Sequence, residues 1–243
     1  MKIIKLDAID STNTYLRQLT STELLEDFTI VTAALQTAGK GQMGTQWSSA
    51  KGQNLTFSVF KKISCLNTHE GFYISMATSL AIYNALSYFQ IPKLAIKWPN
   101  DILSESQKIC GILIENVIQN SKMTAAIIGI GLNVNQTVFQ KDLNASSLKK
   151  NTGIHFDLDE VLSQLIIQLK KYSELITDRQ FDTLKIHYES LLFRKDKPST
   201  FKRLNGDLFM GFIQGVSEDG KLNVLLEDEV VEAFDLKEIK LMY

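Results

Sequence analysis

Two lysines, an aspartate and a glycine fall close together in Lys97-Trp98-Pro99-Asn100-Asp101 and Lys108-x-x-Gly111. Lysine ammonium groups can neutralise phosphate oxygens, or bridge a carboxylate and a phosphate as they approach. Aspartate can hold Mg²⁺ or orient an attacking amine. The same residues would equally serve as the exposed charges of an ordinary hairpin. A second stretch, Gly39-Lys40-Gly41-Gln42-Met43-Gly44, sets a lysine among three glycines. Backbone N–H groups there can approach a ligand with no Cβ in the way, which suits a phosphate or a carboxylate. An ordinary glycine-rich turn is the alternative. A third, Asp10-Ser11-Thr12-Asn13, is read most simply as the cap of a helix.

The residues after the glycines exclude several chemistries. Gly39-x-Gly41-x-x-Gly44 matches the dinucleotide fingerprint as a string, but that fingerprint needs a helix to open at once beneath the pyrophosphate. Thr45-Gln46-Trp47-Ser48-Ser49 and then a strand come instead. The Gly-Lys-Ser/Thr of a P-loop and the His-Arg-Asp of a kinase are both missing. The remaining reading is a glycine loop between two strands, free to fold over a ligand and with nothing in the sequence to pin it.

The elements that must position these groups can be read from periodicity. Lys2–Leu6 reads as a short strand, and Tyr15, Leu16 and Leu19 fall at helical spacing after Asp10 or Ser11. Phe28–Leu35 and Asn54–Phe60 read as the strands flanking the glycine loop. Residues 68–89 read as one long buried helix, stopped by Pro92. Strands are expected at 94–98, 109–115 and 124–131, with a polar loop at 144–152. Helices are expected at 157–176 and 180–192. After Arg194-Lys195-Asp196-Lys197-Pro198 the pattern changes to short alternating strands, with hairpins at Glu218-Asp219-Gly220-Lys221 and Glu227-Asp228-Glu229. These readings predict an α+β fold: a mixed, mainly antiparallel sheet packed with helices over residues 1–194, then a small β-barrel over 195–243.

Composition narrows the class. With 243 residues, 44% hydrophobic and 22% charged, the chain can bury a large core. A net charge of −1 and scattered Lys and Arg give no bulk case for nucleic acid. No apolar run is long enough to span a membrane, and the N-terminus is too interrupted for a signal peptide. Two cysteines, Cys65 and Cys110, fit a reducing cytoplasm, and three histidines share no metal-ligand spacing. The expected setting is cytoplasmic, with neither membrane nor zinc.

Taken in order, the motifs resemble the biotin–protein ligase family. Asp10–Asn13 resembles its first substrate motif, and Gln36–Trp47 its glycine-rich adenylate loop. Lys97–Asp101, Lys108–Glu115 and Gly129-Ile130-Gly131-Leu132-Asn133 complete the set. The resemblance implies a class II synthetase-like catalytic fold with an SH3-like C-terminal barrel, and a two-step reaction. Biotin would be activated by ATP as biotinyl-5'-AMP, and the acyl group would pass to a lysine of a biotin carboxyl carrier domain. On this resemblance Lys108, Lys97 and Asp101 are catalytic, with Asp101 guiding Mg²⁺ or the incoming amine. Biotin falls to Ser11, Thr12, Asn13, Gln36, Lys40, Gly41, Gln42, Lys108, Gly111 and Ile112. ATP and adenylate fall to Gly39, Lys40, Gly41, Gln42, Trp47, Asn100 and Asn133.

The family's loop usually carries arginines where Lys40, Gln42 and Thr45 stand, so a weaker hold on the adenylate is expected. Some members carry an N-terminal DNA-binding domain; this chain starts almost at the first strand, so no DNA binding is expected. A homodimer through an exposed sheet edge suits the fold. A lipoate or octanoate ligase of the same fold and a non-catalytic biotin-binding protein are the alternatives.

Overall fold

The computed structural model describes residues 1–120, 122–140 and 143–243. Its larger sheet has seven strands in the order β1-β2-β3-β7-β6-β5-β4. These are β1 Ile3–Ile9, β2 Thr29–Gln36, β3 Leu55–Lys62, β4 Leu94–Lys97, β5 Asp101–Ser104, β6 Gln107–Gln119 and β7 Lys122–Leu132. Among the described strands of this sheet only β1 and β2 pair in parallel. Helix α1, Thr12–Thr22, makes the crossover between them, and the Ser11 side chain caps it by accepting from Thr14 N–H. The predicted mixed, mainly antiparallel sheet is therefore observed.

Alternation along the strands builds a core on each face. On one face Ile30, Val59, Ala126, Ile128 and Ile130 pack under α2 (Phe72–Tyr88) and α4 (Leu158–Thr177). Leu184 and Tyr188 of α5 (Phe181–Ser190) join them. Helix α2 is buried nearly all round, as an apolar helix held between a sheet and other helices must be. It begins four residues later than the pattern suggests, because Thr68–Gly71 forms a 3₁₀ turn closed by the reciprocal bonds of Asn67 and Glu70. The expected polar loop at 144–152 holds a short helix, α3 Leu148–Thr152, capped by Ser147. On the opposite face Leu16 of α1 packs with Val31, Phe60, Ala125 and Ile127.

The C-terminal strands form a second, antiparallel sheet in the order β11-β10-β9-β8-β12. They are β8 Pro198–Arg203, β9 Leu208–Val216, β10 Leu222–Leu226, β11 Val231–Phe234 and β12 Ile239–Met242. Both predicted hairpin turns join neighbouring strands, and a third at 204–207 joins β8 to β9. The β9–β10 turn docks on the larger sheet. Gly220, at φ +91°, offers its carbonyl to Trp98 Nε1–H at 2.8 Å. A Cβ at Gly220 would lie 2.4 Å from Phe72 Cγ, so only glycine allows this approach.

Candidate functional site

Between the two sheets lies a cavity of about 640 Å³. Its floor continues the face of β7 that carries Ala125 and Ile127, but there the alternation reads Gly129 and Gly131. Gly131 pairs in register with Gly111 of β6. The glycines create the space above them. A Cβ on Gly129 would sit 2.4 Å from Asn13 Oδ1, and one on Gly131 would sit 2.3 Å from Trp47 Cε2. A Cβ on Gly111 would press on Trp47 and on the Lys108 ammonium, at 3.1 and 3.2 Å. Three groups thus lie on one bare strip of backbone: the Asn13 amide, the Trp47 indole and the Lys108 ammonium.

At the Asn13 end the wall is neutral and hydrogen-bonding. Gln36 Oε1 accepts from Thr12 N–H at 2.8 Å and lies 3.0 Å from Thr12 Oγ1. Its carbonyl oxygen is therefore engaged, and its NH₂ is left as a donor. Ser58, wholly buried on β3, sits 2.7 Å from Thr12 Oγ1 and 2.5 Å from Asn13 Oδ1. Asn13 Nδ2 donates to Glu115 Oε2 at 2.8 Å, with Leu113 O at 3.4 Å.

At the other end the wall is cationic. Lys40, Lys97, Lys108, Lys237 and Lys240 line the cavity, against one carboxylate among the described residues, Asp101. Asp101 opens β5 opposite Lys97 of β4, so the turn at 98–100 sets them 3.9 Å apart. Lys108 Nζ reaches Asp101 Oδ1 at 2.6 Å. Burial pulls the Lys97 ammonium below its ordinary pKa; Asp101 opposes this, and Lys108 and Lys240 add to it. Asn100 is tied down, its Nδ2 donating to Ile112 O at 2.7 Å.

The glycine loop differs from the unpinned segment expected. Trp47 N–H donates to Gly39 O at 2.9 Å, Gly41 N–H to Thr45 O at 2.7 Å, and Lys40 bridges to Gln46. Thr45 Oγ1 closes the tip onto Gln42 O at 2.8 Å. From the turn between β11 and β12, Lys237 Nζ donates to Met43 O at 3.0 Å. The loop is a narrow hairpin lying over the cavity, and Thr45 serves its turn. Two expected ligand residues are not in the cavity wall. Asn133 is buried and its Nδ2 donates to Ser146 O at 3.0 Å, while Gly39 is spent on the loop's own ladder. The other expected site residues, Ser11, Ile112 and Asn100 included, all line the cavity.

Sequence reasoning missed four groups. Ser58 could have been found as a serine inside an apolar strand, and Glu115 as the end of the motif that begins at Lys108. Lys237 and Lys240 gave no signal, because the chain there reads as an ordinary charged turn and strand.

Among the described residues no three His, Cys, Asp or Glu side chains gather in a way that could hold a metal ion. One carboxylate flanked by two ammonium groups does not fit a magnesium held by the protein alone. No described helix is long and apolar enough to cross a membrane.

Comparison with known proteins places the chain in a family. Residues 6–133 match the model of the biotin/lipoate A/B protein ligase family. The bifunctional ligase/repressor BirA of Bacillus spizizenii is 30% identical over 234 residues, 93% of this chain and 70% of that protein. A biotin–[acetyl-CoA-carboxylase] ligase of Mycobacterium tuberculosis is 29% identical over 147 residues, 59% of this chain and 53% of that protein. A single-site variant of the Aquifex aeolicus biotin protein ligase, in complex with biotin, superposes with TM-score 0.79 at 26% identity, covering 100% of this chain and 98% of that one. The same enzyme with biotin and ATP gives 0.82 at 24% identity, covering 99% of this chain and 98% of that one; this likeness concerns the fold.

Proposed function

The chain belongs to the biotin/lipoate A/B protein ligase family, and on that premise we propose that it is an ATP-dependent biotin–protein ligase. The observation that carries this is the polarity of one cavity. A neutral wall offers a donor at Gln36 and an acceptor at Asn13, and the opposite end gathers four lysines, Lys40, Lys97, Lys237 and Lys240, with a fifth, Lys108, beside the floor between the two. A urea ring carries both N–H and C=O and complements the first wall. A triphosphate complements the second.

In the first half-reaction the biotin carboxylate attacks the α-phosphate of ATP, forming the acyl–adenylate and releasing pyrophosphate. Lys108 would sit on the reacting carboxylate and phosphate oxygens, exchanging Asp101 for them. Lys97, Lys240 and Lys40 would draw off the charge of the phosphate tail. The loop at 39–47 would keep water from the mixed anhydride. Trp47, packed on the glycine floor, would close over the adenylate. In the second half-reaction an amine of the carrier attacks the acyl carbon and AMP leaves, with Asp101 placed to orient that amine. The carrier would be a biotin carboxyl carrier domain. Residues 195–243, taken as a separate unit, would form the cap of the nucleotide end. Magnesium would be met on the nucleotide's phosphates, where it would offset their charge. No DNA contact is part of this reading, nor is a membrane; a homodimer would use the exposed edge strand β1.

The deciding experiment is pyrophosphate release from ATP with biotin or with lipoate. Biotin-dependent release is expected; release driven by lipoate alone would sink the assignment, since a dithiolane has neither N–H nor C=O for Gln36 and Asn13. Gly129→Ala should raise the KM for biotin about tenfold or more while leaving that for ATP nearly unchanged, because its Cβ displaces the Asn13 oxygen.

Lys97 also confers a pH dependence. Its folded pKa lies below the unfolded value near 10.5, so its charged form costs folding free energy below the folded pKa, and that cost fades as pH rises to the unfolded value. Activity runs the other way, because the charge is needed for the phosphate tail. The kcat/KM for ATP should fall on the alkaline side with an apparent pKa below that of ordinary lysine, and Lys97→Arg should move that limb upward. An alkaline limb unmoved in Lys97→Arg would assign the titration elsewhere.

A further inference from the structure

We infer that Glu115, outside the cavity wall, fixes which end of the Asn13 amide faces the cavity and so acts as a positioning residue for the ring of the substrate. This rests on the biotin reading of the cavity. The chain of contacts runs Glu115–Asn13–Ser58–Thr12–Gln36. Two of its links are hydroxyls, each with one proton to give, and Asn13 is an amide that could face either way. Gln36 is already fixed by the Thr12 N–H, but left to itself the Asn13 amide has two orientations. In one, Asn13 Nδ2 donates to Ser58, Ser58 to Thr12, and Thr12 to Gln36. In the other, Asn13 Oδ1 accepts from Ser58, while Thr12 still donates to Gln36 Oε1.

A carboxylate accepts and cannot donate. Glu115 Oε2, 2.8 Å from Asn13, therefore admits only the second orientation. The Leu113 carbonyl on the same side acts in the same sense but at 3.4 Å. The other oxygen of Glu115 faces Arg17 Nη2 of α1 at 3.7 Å, which helps hold the carboxylate in place. With Asn13 so fixed, Oδ1 takes the Ser58 proton and keeps a free lone pair on the cavity side, above Gly129. That lone pair is the wall's acceptor for a ring N–H. With Asn13 reversed, an NH₂ would stand there beside the NH₂ of Gln36, and the wall would offer donors only.

The test is a double-mutant cycle on Glu115→Leu and Asn13→Ala, read as KM for biotin and for ATP in pyrophosphate release, with melting temperature alongside. Glu115→Leu should raise the biotin KM about tenfold, the cost of one lost hydrogen bond to a buried partner, and leave the ATP KM within about twofold. In the Asn13→Ala background the same substitution should change the biotin KM by less than about twofold, because the amide that it orients is gone. Glu115→Met, close to glutamate in size and without an acceptor oxygen, carries the same cycle should the leucine variant fail to fold. An unchanged biotin KM in the single variant, or additive effects in the double, overturns the inference alone. Wild-type enzyme that releases no pyrophosphate with biotin overturns the biotin reading and this inference with it.

Discussion

Lys108→Ala should lower biotin-dependent pyrophosphate release by about two to three orders of magnitude, the usual cost of removing one preorganised charge from a developing oxyanion. The fold should survive. The Lys108 side chain is 34% exposed, so its ion pair is partly screened, but Asp101 is 15% exposed, and the loss should cost about 1–2 kcal/mol. Asp101 keeps Lys97, 3.9 Å from its Oδ2, as a remaining counter-charge, although its Oδ1 loses the ammonium it faced. The effect should fall mainly on kcat, since the ammonium acts where charge shifts between carboxylate and phosphate. Lys97→Ala should instead weaken ATP binding more than it slows the chemical step. Turnover by Lys108→Ala within about threefold of wild type, at an unchanged melting temperature, would remove Lys108 from the mechanism.

Trp98→Ala should be the most disruptive single change at the junction of the two sheets. It removes a large, partly buried ring packed against the main core and the bond from Nε1 to Gly220 O. A loss of about 3 kcal/mol is expected, at the lower end for an aromatic truncation because the ring is not fully buried. Trp98→Phe separates the two contributions. It keeps most of the packing and leaves the Gly220 carbonyl without its donor, which should cost about 1 kcal/mol. Both variants should also raise the KM for ATP, because Lys237 and Lys240 are carried by the sheet that this contact docks. Denaturant unfolding gives the first quantity and pyrophosphate release the second. If Trp98→Ala loses stability with no change in the ATP KM, the C-terminal sheet takes no part in holding the nucleotide.

Much of the fold is legible in the sequence because its elements announce themselves locally. Ser11 and Asp157 cap the helices they precede. The alternation in β3 marks it as a strand, and the polar turns at 218–221 and 227–229 place the hairpins of the C-terminal strands. The start of α2 is not legible, because Asn67 and Glu70 close a separate turn on themselves, a reciprocal bond that helical periodicity does not register. The glycine loop escapes sequence reasoning for a related reason. Composition reports what backbone freedom glycine permits, whereas Trp47, Thr45 and the distant Lys237 decide how much of it is used.

The site divides in the same way. Sequence by itself determined which groups are present for chemistry: the two lysines and the aspartate around 97–108, and the polar run at 11–13. It determined them because residue type fixes charge and hydrogen-bonding capacity whatever the fold does. Only the tertiary structure decided their arrangement. It laid Gly129 and Gly131 on the face where Ala125 and Ile127 carry side chains, so that the core of one stretch becomes the cavity of the next. It turned Asn133 into a support for Ser146 and brought Lys237 and Lys240 from the far end of the chain to the cationic wall. The physical reason is that strand register and sheet packing are long-range facts. A glycine is only a gap until the neighbour that fills it is known, and a lysine is only a charge until the fold supplies the anion it faces.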